Sequence, residues 1–498
     1  MSLTITISGP NGALFQQKTG HFVDGDFSSS QEGSTLDTVN PATGSVLGPI
    51  AAGTAHDVDV AVASARRAFD AGVWRNLAPK ERKARMLAWC DLMDAHSADL
   101  ALMETLETGK PLKDTTSGDI PKAIGLIRWY AEVCDKLYDQ VAPTDPAIHA
   151  TITREPLGVV GAVVPWNFPL YLAAYKLGPA LGVGCSVIIK PAEEASLTTL
   201  RAAELAVEAG IPPGVFNVVT GTGLEAGKAL GLHPDVDMIA FTGSSTVAKA
   251  FLVYAGQSNM KKVQLEAGGK SANIVMPDAP DLDTAAEQAA WGIFYNQGQV
   301  CSAGSRLLVH RDIHDDFVAR VADVARTMVV GDPLDPGTQI GSVASHKQMG
   351  TVLSAIEDAK ASDAALTLGG AQILQDTGGA FVEPTIFANV SPDATLAQEE
   401  VFGPVLAALS FDTLDEAIEI ANGTQYGLGA AIWTSHIDTA LGASRRLRAG
   451  QVWVNNYDGS DWTVPWGGFK QSGTGRDKAL SAFDEYVGTK ATWITLNT

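Results

Sequence analysis

The stretch GVVGAVV, residues 158–164, is a short continuous apolar run, and three more follow it: SVIIK (186–190), VFNVV (215–219) and DMIAF (237–241). Segments of helical character separate them. Such alternation implies a parallel sheet covered by helices on both faces, because only a strand buried on both sides dispenses with polar alternation. The helix between the second and third runs, about Leu197 to Ala209, is closed by Gly210 with Pro212 beyond. Upstream, Thr54 and Asp57 have the spacing of a capping box. Val58, Val62, Ala65 and Phe69 then share one helical face until Gly72. Downstream of Leu265 the alternation resumes with IVMP, RLLVH, VLAAL and QVWVN, which reads as a second α/β unit. Two α/β units facing each other place a ligand in the cleft between them, at the carboxyl ends of the strands.

A chain of 498 residues is too long for one simple core, and about two to three domains are expected. Its 56 acidic against 35 basic residues give a net charge of −21, which argues against nucleic acid or an anionic membrane as partner. The N-terminus lacks a basic region followed by an apolar run, and no stretch approaches the ~20 apolar residues of a membrane span. A cytoplasmic location is expected. The four cysteines Cys90, Cys134, Cys185 and Cys301 have no metal-ligand or CxxC spacing, so neither a metal site nor a disulfide framework is expected. The segment to about Lys18 reads as an arm or loosely ordered tail.

The segment FYNQGQVCSAGSR, Phe294 to Arg306, sets Cys301 among small and amide residues that let a substrate and backbone N–H groups come close. A nucleophilic cysteine wants an exposed, electropositive setting, whereas an isolated cysteine reads more readily as a small buried hydrophobe. Two companions supply the context. Asn167, between prolines in PWNFP, offers a side-chain amide which, with the Cys301 N–H, can receive an oxyanion. Glu266, ahead of Gly268 and Gly269 in LEAGGKS, offers a base to activate water.

PWNFP, KPAEEASLT, FTGSS, LEAGGKS, FYNQGQVC, EEVFGPV and PWGGFKQSG occur in the order seen in the aldehyde dehydrogenase superfamily, and the resemblance runs from about residue 20 to the C-terminus. LEAGGKSANIV, YGLGAA and GFKQSGTGRDKALSAFDEY resemble most the bacterial γ-glutamyl-γ-aminobutyraldehyde dehydrogenases, which oxidise ω-amino and related aldehydes. The resemblance implies two Rossmann-like parallel-sheet domains plus a small oligomerisation sheet. An NAD-binding domain would span 1–137 and 157–267, a catalytic domain 268–470, and bridging strands 138–156 and 484–498. A homo-oligomer, dimer or tetramer, is the family expectation.

The resemblance also implies NAD as cofactor. Lys190 and Glu193 match the positions that hold the adenosine ribose, where a carboxylate would repel a 2′-phosphate; the same pair could instead cap the following helix. As a phosphate cradle, FTGSSTVAK with Phe241, Gly243, Ser244 and Val247 is better placed than GTGLEAG, because a strand there feeds a helix N-terminus. Gly223 and Gly227 match the adenine side. Pro165, Trp166, Ala267 and Gly268 belong to the same implied set, and Glu400 and Phe402 match the residues at the nicotinamide ribose and ring. The family often has glycine where Ala248 stands and an acidic residue at Thr246. Lys176 and Asp477 match positions assigned to proton relay, with a structural role equally open.

On the substrate side, Asp119 matches a position that holds an ammonium in aminoaldehyde-oxidising relatives. Tyr171, Tyr175 and Trp462 would wall an access tunnel. Lys122 replaces a second anion common there, which either disfavours a simple diamine-derived aldehyde or suits a zwitterion, and NNYDGSDWTVP adds Asp458, Ser460 and Asp461. The expected reaction is oxidation of a polar ω-amino or γ-glutamylamino aldehyde to the acid. The alternatives are a broad aliphatic aldehyde dehydrogenase, an NADP-linked or CoA-acylating variant, and a non-catalytic member of the fold.

Overall fold

The computed structural model describes residues 3–9, 12 and 14–497. Met1, Ser2, Pro10, Asn11, Ala13 and Thr498, which fall within the expected ranges, lie outside the described residues. Val159–Val163 is an inner strand of a seven-stranded sheet, paired in parallel with Ser186–Lys190 on one side and Met238–Thr242 on the other. Lys262–Glu266 and Phe216–Val218 extend it, and His21–Val23 with Asp26–Ser28 closes one edge antiparallel. Side chains alternate between two cores, as a period of two demands. Val159, Val163 and Ile188 pack with Val58, Val62 and Ala65 of the helix Ala55–Ala71. Val160, Val187 and Ile189 pack toward Pro169–Val183 and Leu197–Glu208. Both faces are covered, which is why these strands read as unbroken apolar runs.

The capping box forms: Asp57 Oδ2 accepts from Thr54 N at 2.8 Å, and the helix ends at Gly72 with φ +72°. The second seven-stranded sheet contains the four expected runs. It also contains Ala365–Leu368, Thr385–Ala388 and Gly429–Trp433, short strands that the alternation did not reveal. Gly429–Trp433 is fully buried yet begins Gly-Ala-Ala, with Ile432 as its one β-branched residue.

The N-terminal segment is not a loose tail. Thr4–Ser8 pairs antiparallel with Leu14–Lys18, and its alternation puts Ile5 and Ile7 on the buried face, Ile5 seated where a Cβ on Gly48 would lie 2.3 Å from it. Val487–Thr495, Ile148–Pro156 and Gln140–Ala142 form a separate three-stranded antiparallel sheet. Its edge strand Val487–Thr495 carries the exposed Trp493 and Ile494. Among the described residues no helix is long and apolar enough to cross a membrane. Cys90, Cys134 and Cys185 are buried and unbridged, and burial pushes the thiols of Cys90 and Cys185 up to about 12.

Candidate active site

Cys301 follows a tight, strained turn. After the helix Leu282–Phe294 the chain places Asn296 (φ +50°), Gln297 (φ +57°) and Gly298 (φ +72°) consecutively in the left-handed region. For the two non-glycine residues this costs about 1–2 kcal/mol each. A Cβ on Gly298 would sit 2.0 Å from the Gly403 carbonyl, so glycine is required there. Polar contacts hold the turn. Asn296 Nδ2 donates to the carbonyls of Asn167 (3.0 Å) and Gln299 (3.3 Å), and Gln299 Oε1 accepts from Ala344 N at 2.9 Å. Asn167 Nδ2 donates to the Gln299 carbonyl at 2.8 Å. The amide of Asn167 is thereby fixed two residues before Cys301, with its second N–H uncommitted.

Glu266 ends the strand Lys262–Glu266, buried, with neither carboxylate oxygen hydrogen-bonded. The following loop reaches the cysteine only through glycine: a Cβ on Gly269 would lie 2.2 Å from the Cys301 carbonyl oxygen. Burial first, then the field of Asp477, raises the Glu266 carboxyl well above the ordinary range, while Lys176 opposes the rise. Lys176 Nζ and Asp477 Oδ2 are 2.6 Å apart and buried.

The expectation of an electropositive setting for Cys301 is corrected. The residue is partly exposed, but its thiol is raised, chiefly by burial and then by the carboxylates of Glu400, Asp458 and Glu266. Its sequence neighbours are small and neutral; the negative field arrives from remote loops.

On one side of Cys301 lie the residues matched to the cofactor. Lys190 Nζ donates to the Gly221 carbonyl at 2.8 Å and to Glu193 Oε2 at 3.2 Å, and the Glu193 side chain stays 40% exposed. A Cβ on Gly227 would meet Lys190 Cδ at 3.6 Å, whereas Gly223 has open space around it. Both lie in a wide helical turn, Gly223–Gly227, that Thr222 caps by accepting from the Glu225 N–H at 3.2 Å. Phe241 lies in the strand Met238–Thr242, the Gly243 N–H donates to the Glu266 carbonyl at 3.0 Å, and Ser244 Oγ caps the next helix by accepting from the N–H of the exposed Val247.

Ala267 is tied by its N–H to the Ser472 carbonyl, and Glu400 Oε1 accepts from Gly269 N at 2.8 Å. A Cβ on Gly268 would strike Glu400 Oε2 at 2.1 Å. Burial pushes the Glu400 carboxyl up to about 7. Phe402, at φ +57°, sets its ring edge-on to Trp166 at 5.4 Å, beside Pro165. An exposed carboxylate beside a buried ammonium, a capped helix with N–H groups left over, and glycines where side chains would obstruct fit a dinucleotide.

On the other side opens a cavity of about 430 Å³ lined by Asn167, Cys301 and Ser302 at one end. Of the residues expected there, Tyr171, Tyr175, Ser460, Asp461 and Trp462 line it. Asp119 does not. It is 1% exposed and ion-paired with Lys110, because it closes the turn Thr115–Asp119 on the inner side of the helix Ile120–Val133, whose first turn puts Lys122 into the cavity instead. Sequence reasoning missed Phe168, Tyr295 and Trp466 as lining residues, although each lies inside a quoted motif. Asp458, at φ +59°, accepts a hydrogen bond from Ser302 Oγ at 2.9 Å. Behind it Lys478 donates to Ser460 Oγ and lies over the rings of Tyr175 and Trp466.

Two mostly parallel sheets, a cysteine, an amide and a buried carboxylate brought together, a surface that fits a dinucleotide and a cavity beside the cysteine together describe an oxidoreductase. The sequence model of the aldehyde dehydrogenase family matches residues 27–492, and the chain belongs to that family. It is 50% identical over 476 residues to the NADP/NAD-dependent aldehyde dehydrogenase PuuC of Escherichia coli (strain K12), covering 95% of each chain. A crystal structure of indole-3-acetaldehyde dehydrogenase complexed with NAD+ superposes with a TM-score of 0.96 at 53% identity, covering 97% of both chains. A γ-glutamyl-γ-aminobutyraldehyde dehydrogenase from Burkholderia cenocepacia J2315 superposes at 0.95 with 53% identity, covering 97% of this chain and 98% of that one.

Proposed function

We propose that the chain oxidises a polar, amine-bearing aldehyde to its carboxylic acid with NAD, through a thioester on Cys301. The observation that carries this reading is the convergence of Cys301 and Asn167 in one cavity that is also lined by Asp458, Asp461 and Lys122. The Cys301 thiol releases its proton to solvent as the sulfur adds to the aldehyde carbon, and the carbonyl oxygen becomes an oxyanion. The free N–H of Asn167 and the Cys301 backbone N–H receive it. NAD held beside Cys301 would supply the hydride acceptor that oxidation of the thiohemiacetal to a thioester requires.

Glu266 then takes a proton from water as the water oxygen attacks the thioester carbon; the carbon–sulfur bond breaks, the acid departs and Cys301 is restored. Lys176 and Asp477 set the field in which Glu266 gains and loses its proton. A buried base at this position hydrolyses the thioester and so disfavours transfer to CoA. Lys190 and Glu193 hold the adenosine ribose, Glu400 and Phe402 the nicotinamide end, and the Glu193 carboxylate disfavours a 2′-phosphate.

For the substrate, the tunnel supplies a carboxylate at Asp458, an ammonium at Lys122 and aromatic walls between, which suits a chain ending in both ammonium and carboxylate. The homology to a γ-glutamyl-γ-aminobutyraldehyde dehydrogenase agrees. A second reading, an arylacetaldehyde, draws on the six aromatic side chains Phe168, Tyr171, Tyr175, Tyr295, Trp462 and Trp466 and on the likeness to an indole-3-acetaldehyde dehydrogenase. Steady-state kcat/KM for ω-amino, γ-glutamylamino, indole and plain aliphatic aldehydes with NAD and no CoA decides between them; preference for plain aliphatic aldehydes overturns both.

The exposed edge strand Val487–Thr495 is the surface on which a second copy would pair, giving a homo-oligomer. A thiol nucleophile functions in a reducing compartment, and the cytoplasm is the proposed location.

A further inference from the structure

Asp119, absent from the tunnel, takes part in a buried network directly behind Asn167. Its Oδ2 accepts from Lys110 Nζ, and the Lys110 side chain is fully buried. A buried ammonium is tolerated only where its donors are used. Lys110 spends a second donor on the backbone carbonyl of Asn167, 3.0 Å away, and its charge lies 3.8 Å from the centroid of the Phe168 ring. Glu104 completes the group: its Oε2 accepts from Leu170 N at 3.3 Å, and burial, then Asp119, push its carboxyl up to about 8. Three of the four residues from Asn167 to Leu170 are thus gripped from the same side.

The Asn167 carbonyl has a second donor, Asn296 Nδ2 at 3.0 Å, which also reaches the Gln299 carbonyl. That carbonyl is the one receiving the Asn167 side-chain amide. Asn167 is therefore held at both ends, its peptide oxygen by Lys110 and Asn296 and its amide by the cysteine loop. Rotation of the peptide after Asn167 would swing the side chain and its free N–H away from Cys301. Phe168, at φ −144° and ψ 69°, has no side-chain cap to prevent that rotation.

We propose that Lys110, with Asp119 as its counter-ion, is a positioning residue for the oxidation: it fixes the Asn167 carbonyl and so aims the Asn167 amide at the oxyanion. The inference rests on the role given to Asn167 above. Its chemical signature is selective. Addition of Cys301 to an aldehyde builds an oxyanion, whereas alkylation of the same sulfur by iodoacetamide displaces iodide at a saturated carbon and builds none there. Lys110 is not among the groups that act most strongly on the Cys301 thiol, so its loss is expected to leave alkylation of that thiol nearly unchanged.

The test compares Asn167→Ala, Lys110→Met, the charge-neutral pair Lys110→Met with Asp119→Asn, and that pair combined with Asn167→Ala. The neutral pair leaves no unpaired buried charge and keeps the comparison valid where Lys110→Met alone does not fold. Four quantities are measured on the full-length protein: the first-turnover NADH burst rate, the iodoacetamide inactivation rate, the Kd for NAD and the thermal midpoint. Asn167→Ala slows the burst by about 10²-fold. The neutral pair slows it by roughly 10- to 100-fold, and adding it to Asn167→Ala slows it no further.

Alkylation and NAD affinity stay within about twofold in the neutral pair. Multiplicative losses, an unchanged burst in the neutral pair, or an equal fall in alkylation overturns the positioning role while leaving Asn167 in place. An unchanged burst in Asn167→Ala overturns the oxyanion assignment and the positioning role with it.

Discussion

Lys176 Nζ and Asp477 Oδ2, 301 positions apart in the chain, meet at 2.6 Å in the interior, and both fields reach Glu266. Asp477 Oδ1 also accepts from Gln264 Nε2 at 2.8 Å, and Gln264 lies on the same face of the same strand as Glu266. Asp477 is thus fully supplied with donors while Glu266 has none. A carboxyl in that position keeps its proton far longer than one in water, which is what a base operating near neutral pH requires.

Glu266→Gln keeps the shape of the side chain and removes its ability to accept a proton. The expected outcome is a normal first-turnover burst of NADH followed by steady turnover reduced by about 10²- to 10⁴-fold. Stopped-flow absorbance resolves the two phases. Loss of both phases, or of neither, removes Glu266 from the hydrolytic step.

The pH dependence follows from the same group. Because Glu266 is raised, the base form appears only well above the ordinary carboxylate range, so kcat falls on the acid side at a pH higher than an exposed glutamate would give. Lys176 pulls the Glu266 value down and Asp477 pushes it up. Lys176→Met therefore moves the acid limb of the kcat profile to higher pH, and Asp477→Asn moves it to lower pH. Shifts in the same direction, or none, in pH–rate profiles of the two variants would detach the pair from Glu266.

Much of this site is legible in the sequence because Cys301, Glu266 and Asn167 sit among glycines and prolines that the backbone needs for close approach. Gly269 against the Cys301 carbonyl and Gly298 against the Gly403 carbonyl are the physical causes of those motifs. The first sheet is legible for a similar reason: strands such as Val159–Val163, packed on both faces, must be apolar throughout. Asp119 pairs with Lys110, nine residues earlier, away from the cavity lining, and no local pattern in the sequence tells such a buried ion pair from a substrate anion. The negative field at Cys301 was equally invisible, since Glu400 and Asp458 arrive from distant loops. Thr4–Ser8 is an intermediate case: its alternation was present, but the surface receiving Ile5 is made by Gly48.

Coenzyme choice depends on Glu193. Its carboxylate is held 3.2 Å from Lys190 Nζ and is 40% exposed, so screening moderates its charge. Glu193→Gln lowers the ratio of kcat/KM for NAD over NADP by about 10-fold. A ratio unchanged in parallel steady-state assays with the two coenzymes means that the ribose lies elsewhere.

The tunnel charges make a substrate-specific prediction. Asp458→Asn lowers kcat/KM for an ω-amino aldehyde by roughly 10-fold, the range of a hydrogen bond to a charged group. A plain aliphatic aldehyde of equal length is unaffected. Asp458 is tied to Ser302, next to Cys301, so the aliphatic control also reports any disturbance of the nucleophile. Equal losses on both substrates assign Asp458 to holding the cysteine loop, and no loss on either favours the arylacetaldehyde reading.

The last prediction concerns the contact that lets Glu266 and Cys301 share one site. Gly269 is not in the left-handed region, so the main cost of alanine there is a methyl carbon 2.2 Å from the Cys301 carbonyl oxygen. That oxygen is backbone and cannot rotate away, and Leu428 Cβ at 3.3 Å blocks part of the other side. The loop carrying Cys301 has to move relative to Asn167, whose amide is anchored to the Gln299 carbonyl. Gly269→Ala therefore reduces the NADH burst rate by about 10²-fold, the cost of a displacement near 1 Å at a reacting atom. Glycine at Gly256 has no atom within 4 Å of its would-be Cβ and serves as the control, with Gly256→Ala expected to retain the burst rate. A Gly269→Ala enzyme with an unaltered burst would show that the two loops are not held at this separation.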